Sequence, residues 1–131
     1  MSRAPKPTHS LPATVTRVVD GDTVHVEAQI LPFPSITVEL EVRLNGINAQ
    51  EHNLPGGPEA TAHLAGLVGP LPAAATLNII RPDKYGGRIL GQLVTPADVD
   101  VAAQMVVDGY AAAWNGTGSK PVPPWPIPAP A

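Results

Sequence analysis

Five short pieces of this 131-residue chain carry groups able to do chemistry. In order they are Val19-Asp20-Gly21-Asp22-Thr23, Val42-Arg43-Leu44, Ile47-Asn48-Ala49-Gln50-Glu51, Asp83-Lys84-Tyr85-Gly86-Gly87-Arg88 and Asp108-Gly109-Tyr110-Ala111. They offer carboxylate and amide oxygens for a hard cation, one further carboxylate and two arginines. That combination suits hydrolysis of a phosphodiester. The substrate anion repels an incoming hydroxide, so catalysis needs positive charge aimed at its oxygens and a positioned water. Taken singly, each piece has a plainer meaning. Asp-Gly-Asp is a hairpin turn, Arg43 is a partner for Glu39 or Glu41, and Glu51 is a solvated loop residue. Lys84 to Arg88 is a polar turn. Only the set in order points to a reaction.

The elements that must position these groups follow from periodicity. Thr14 to Val19 and Thr23 to Glu27 are β-branched strands joined by the Asp-Gly turn. Leu31-Pro32-Phe33-Pro34 breaks the second strand and opens a longer loop. Ile36 to Leu44 alternates apolar and polar residues, as a half-buried strand does. Gln50 to Gly57 is an exposed loop. Pro58 to Val68 is a helix with Leu64, Leu67 and Val68 on one face. Ala75 to Arg81 and Arg88 to Val94 are strands. A second helix starts at Thr95-Pro96 or at Asp100 and stops at Gly109. Three strands, a helix, two strands and a helix fit an α+β, mainly β architecture. This is the five-stranded Greek-key OB barrel with two packed helices, although a mixed open sheet fits the same order.

Residues 1–12 read as a flexible arm, 13–115 as the folded domain and 116–131 as a proline-rich tail. Trp125 in that tail could dock as a polyproline motif. The chain has no cysteine, so disulfides and thiolate metal sites are excluded. No apolar run approaches the ~20 residues of a membrane span, and no secretory signal is visible behind Met1. The expectation is a cytoplasmic monomer that does not contact membrane, from a bacterium, phage or mobile element. A net charge of −3 runs against the basic surface common in nucleic-acid binders. The four histidines show no zinc spacing.

From about Ala13 to Trp114 the chain resembles the staphylococcal nuclease-like (thermonuclease) family through the five quoted pieces. The resemblance implies an OB barrel and calcium-dependent hydrolysis of DNA or RNA. Residue by residue, it implies that Asp22 and Asn48 ligate Ca2+ by side-chain oxygens and Ala49 by its carbonyl. It implies that Arg43 binds the scissile phosphate, Glu51 orients or deprotonates the attacking water, and Arg88 stabilises developing charge. Lys84 and Tyr85 contact a terminal phosphate. The family usually carries Asp where this chain has Asn48 and Pro where it has Gln50, and Gly87 is an extra residue before Arg88. Asp20 could assist as a direct or water-mediated ligand. The alternative function is a catalytically weak or inactive OB module binding single-stranded nucleic acid or a protein.

Overall fold

The computed structural model describes residues 9–83, 87–115 and 119–120, without the side chains of His9 and Pro34. Its elements are β1 (His9–Asp20), β2 (Thr23–Ile30), β3 (Phe33–Leu44), β4 (Ile47–Asn48) and α1 (Gly57–Val68). There follow β5 (Ala73–Pro82), β6 (Arg88–Val94), α2 (Val101–Val107) and β7 (Ala112–Ala113). Strands β1, β2, β3, β6 and β5 close into a barrel in that order, with β3 and β6 parallel and the other pairs antiparallel. This is the expected five-stranded α+β barrel of the OB type with two packed helices; closure excludes the open sheet.

Closure depends on β1 serving two neighbours. Ala13 to Val15 pair with β2 on one side and β5 on the other. Irregularities after Val15 and Val18 let the strand bend, as β-bulges do. Inside, Val15, Val24, Val26, Val42, Leu44, Leu77 and Leu93 are buried. Gly91 keeps the wall thin, since a Cβ there would meet Leu77 Cδ1 at 3.0 Å. Helix α1 buries Ala60 and Leu64, and α2 buries Val101, Ala102 and Met105. Truncating a side chain such as Leu64 should cost about 2–5 kcal/mol.

Three expectations need correction, and one element is new. β1 begins at His9, where Ser10, Leu11 and Pro12 pair with Asn78, Leu77 and Thr76. The flexible arm therefore does not extend to residue 12. Pro32 and Pro34 do not open a long loop. β2 and β3 join through Leu31-Pro32 alone, with Ile30 opposite Phe33. Pro34 is tolerated because β6 pairs only with Glu41 to Leu44, leaving the first half of β3 at an edge. The alternation of β3 buries residues only from Leu40 onward. Ile36 and Val38 lie on the part of β3 that β6 does not pair, and are exposed. Finally, β4 and β7 add a two-residue ladder, Ile47 to Ala113 and Asn48 to Ala112.

The second helix takes the Asp100 cap, whose Oδ1 accepts from Ala102 N at 3.1 Å and Ala103 N at 3.3 Å. It ends at Gly109, whose φ of +85° suits glycine after a helix. A polar seam joins the helices. His63 Nε2 of α1 lies 2.7 Å from Asp108 Oδ2, and His63 stacks on Tyr110 with ring centres 4.1 Å apart. Gln104 Nε2 donates to Asp108 Oδ1 at 2.8 Å. The hydrogen bond from His63, and then that from Gln104, hold the Asp108 carboxyl below its ordinary pKa. No helix among the described residues is long and apolar enough to cross a membrane.

Candidate functional site

Four of the five chemistry-bearing pieces contribute to one cleft, while Asp108 to Ala111 lies at the seam between the helices. Asp22 comes from the β1–β2 turn and Arg43 from the end of β3. Asn48 comes from β4, Ala49 and Glu51 from the loop after it, and Arg88 from the start of β6. All six line one cleft of about 160 Å³. Lys84 and Tyr85 lie outside the described residues.

The turn is wedged in place by packing. Asp20 pairs with Thr23, which leaves Gly21 and Asp22 as the connection. A Cβ on Gly21 would fall 2.8 Å from Ala49 Cβ and 2.9 Å from Ala60 Cβ. Glycine is thus set by the contact with the loop and α1. Asp22 is then tied on several sides. Its Oδ1 accepts from Thr23 Oγ1 at 2.9 Å and its Oδ2 from Ala49 N at 2.9 Å. Its backbone carbonyl accepts from Leu44 N at 2.7 Å.

Arg43 Nη1 lies 3.0 Å from Asp22 Oδ2, with the two side chains 11% and 9% exposed. That contact is an ion pair without a directed hydrogen bond. Among the described residues, Nη1 is the buried side-chain nitrogen with no hydrogen-bond acceptor. Nη2 reaches Asn48 Oδ1 at 3.5 Å, the weak limit of such a bond. The guanidinium carbon sits 5.8 Å from the centre of the Trp114 ring, within cation–π range. Arg43 is therefore held by charge and by an aromatic face, and it lines the cleft.

Arg88 stands beside it on the neighbouring strand. The parallel register sets Arg88 against Glu41. Its Nε donates to Asp83 Oδ2, and its Nη1 is 3.7 Å from Glu41 Oε2. Glu41 in turn meets His25 Nε2 at 3.0 Å. Glu51 is exposed on the lip of the cleft, and its carbonyl accepts from Leu54 N at 3.0 Å.

The cation question turns on donor chemistry. Asp22 and Asn48 bring hard oxygens of the kind calcium takes, and Ala49 has a backbone carbonyl. The donor type fits. The charge is low, because Asn48 is neutral and Asp22 already faces Arg43. No group of three His, Asp or Glu side chains able to hold a metal occurs among the described residues. Asp20, considered as an auxiliary ligand, instead receives two donors from His52.

Sequence reasoning gave no role to a second, larger cavity of about 330 Å³ that shares Arg43, Arg88 and Lys120 with the cleft. Arg81 and Trp114 also line it, and Lys120 Nζ lies 5.7 Å from the Trp114 ring centre. Arg43, Arg81, Arg88 and Lys120 are four of the chain's eight Lys and Arg residues. An acidic chain thus gathers half its positive charge at one place. Nothing in the local sequence around Arg81 or Lys120 signals this; their meeting depends on barrel closure.

Over 103 residues, 74% of this chain, the sequence is 30% identical to endonuclease YhcR of Bacillus subtilis (strain 168). The matched part is 8% of that protein, so the chain spans about a twelfth of its relative's length. No protein-family model matches the chain.

Proposed function

We propose that this chain is a calcium-dependent nuclease domain that hydrolyses phosphodiester bonds of DNA or RNA by arginine-assisted attack of water. The observation that carries the reading is the 160 Å³ cleft, where Asp22, Arg43, Glu51 and Arg88 converge from four separate segments. The likeness to an endonuclease supports the same reaction class. The thermonuclease resemblance supplies the roles.

In this reading Arg43 binds the scissile phosphate. Arg43 lines the cleft and is held by Asp22 and by the Trp114 face, so an incoming phosphate would meet a guanidinium already fixed in place. Arg88, on the adjacent strand, stabilises charge that develops on the phosphoryl oxygens and leaving group. Its fork must then exchange part of its pairing with Asp83 and Glu41 for the substrate. Glu51, exposed on the lip, orients the water and takes its proton. Asp22 and Asn48 would hold calcium by their side-chain oxygens and Ala49 by its carbonyl. When bound, that ion supplies positive charge at the phosphate. Lys84 and Tyr85 would contact a terminal phosphate.

A second reading rests on a specific observation. Asp22 is the one carboxylate among the three proposed ligands, and Arg43 already neutralises it. A cleft so neutralised could bind single-stranded nucleic acid along Arg43, Arg81 and Trp114 without cleaving it.

The test is cleavage of single-stranded DNA, plasmid DNA and RNA in excess calcium or chelator, by wild type and by Arg43→Ala, Arg88→Ala and Glu51→Ala. The nuclease reading predicts cleavage in calcium alone, lost in each variant while far-ultraviolet circular dichroism is retained. Cleavage that persists in all three variants sinks it. Binding of oligonucleotides without cleavage at saturating calcium selects the second reading.

A further inference from the structure

Glu51 sits in a segment that hydrophobic burial does not fix. Residues 51–56 are all exposed, including Leu54 at 42%. Loops with so few apolar anchors open easily unless polar ties hold them. Here polar ties hold the segment, two of them on the backbone of Glu51 and His52. Asp20 Oδ1 accepts from the His52 backbone N at 2.8 Å and lies 2.8 Å from His52 Nδ1. Leu54 N donates to Glu51 O at 3.0 Å, and Gly57 N donates to Leu54 O at 2.8 Å. Gly57 itself lies directly against the chain. A Cβ there would fall 1.6 Å from Glu51 O, 2.5 Å from Glu51 C and 2.9 Å from His52 Cα. No side chain fits that space, so the first residue of α1 forms a seat for the Glu51 peptide.

We infer that Asp20 and His52 are positioning residues: they latch Glu51 over the cleft against the seat provided by Gly57. The inference rests on the proposed role of Glu51. Asp20 is well placed for it, being anchored at the end of β1 with its side chain 19% exposed. A carboxylate accepting two donors from one residue fixes both the loop backbone and the His52 rotamer. None of residues 50–57 belongs to the hydrophobic core, so releasing the latch leaves the barrel intact. The effect falls on the position of the Glu51 carboxylate. A displacement of about 1 Å there can lower a rate ~10²-fold.

The experiment compares wild type, Asp20→Ala, His52→Ala, His52→Asn, Glu51→Gln and Glu51→Gln/His52→Ala in full-length protein. Cleavage of a defined oligonucleotide in calcium gives kcat and KM, and calcium affinity is measured separately. The latch predicts that Asp20→Ala and His52→Ala lower kcat by about 10–100-fold while KM and calcium affinity hold. His52→Asn, which keeps a donor near the Nδ1 position, recovers most of the rate. Adding His52→Ala to Glu51→Gln slows it no further. The inference is overturned if His52→Ala leaves kcat unchanged, or slows Glu51→Gln by the same factor as wild type. Amide exchange at His52 is read in parallel. If wild type does not cleave, the nuclease reading fails and exchange alone decides the latch. Protection in wild type that is lost in Asp20→Ala supports it, and equally fast exchange in both overturns it.

Discussion

Two acid–base pairs tie this molecule together in different ways. His63 and Asp108 join α1 to the end of α2, with side chains 30% and 26% exposed. Asp22 and Arg43 join the β1–β2 turn to β3, with side chains only 9% and 11% exposed. In the first pair Gln104 donates to the other Asp108 oxygen and the Tyr110 ring stacks on His63. In the second, Arg43 Nη1 keeps a buried donor without an acceptor. A cross-link that only holds helices together can satisfy its partners completely. A buried donor left without an acceptor costs stability, and under the proposed function that cost falls on the arginine that would also bind phosphate.

Removing Arg43 has the largest expected effect. Arg43→Ala should lower the cleavage rate at least ~10³-fold, the scale of a charge-stabilising arginine. Initial rates at equal folded fraction check this. Next in size is Asp22→Ala, which leaves Arg43 buried without its counter-charge. Breaking such a pair costs about 3–5 kcal/mol, with the lower end expected beside an open cleft; urea unfolding reads it. A loss of a few tenths of a kcal/mol would mean that solvent screens the pair. Asn48→Asp should then raise calcium affinity roughly tenfold, about 1.4 kcal/mol, in a calorimetric titration. No gain would mean that Arg43 keeps the cation away.

The smallest effect belongs to the helix seam. Asp108→Asn should cost less than ~1 kcal/mol at neutral pH, as exposed pairs do. Its signature is in acid. The Asp108 carboxyl is held below its ordinary value, chiefly by the hydrogen bond from His63. Its extra stabilisation is complete above the unfolded value near ~3.9 and is lost as pH falls through the lower folded value. The stability gap between wild type and Asp108→Asn should therefore close below about pH 4. A gap that is constant down to pH 2 would contradict this.

The barrel was legible because its strands are β-branched and the first two are joined by an Asp-Gly turn. Asp22, Arg43, Asn48 and Arg88 were legible because motif order survives folding. The helix cap at Asp100 was one of two options, and its two backbone hydrogen bonds decide it. The β2–β3 hairpin was misjudged because prolines break strands in general; here Pro32 sits in the turn and Pro34 on an edge that β6 leaves unpaired. The meeting of Asp20 and His52 depends on a contact 32 positions apart in sequence. Arg81 reaches the cavity from an irregularity in β5, which no local pattern announces.

The central claim is that this cleft hydrolyses phosphodiesters through its paired arginines. The most direct test is plasmid and single-stranded DNA cleavage in calcium and in chelator, by wild type and by the Arg43→Ala/Arg88→Ala double variant. The account predicts calcium-dependent cleavage by wild type and none by the folded double variant. Equal cleavage by both, or none by folded wild type at saturating calcium, would contradict it.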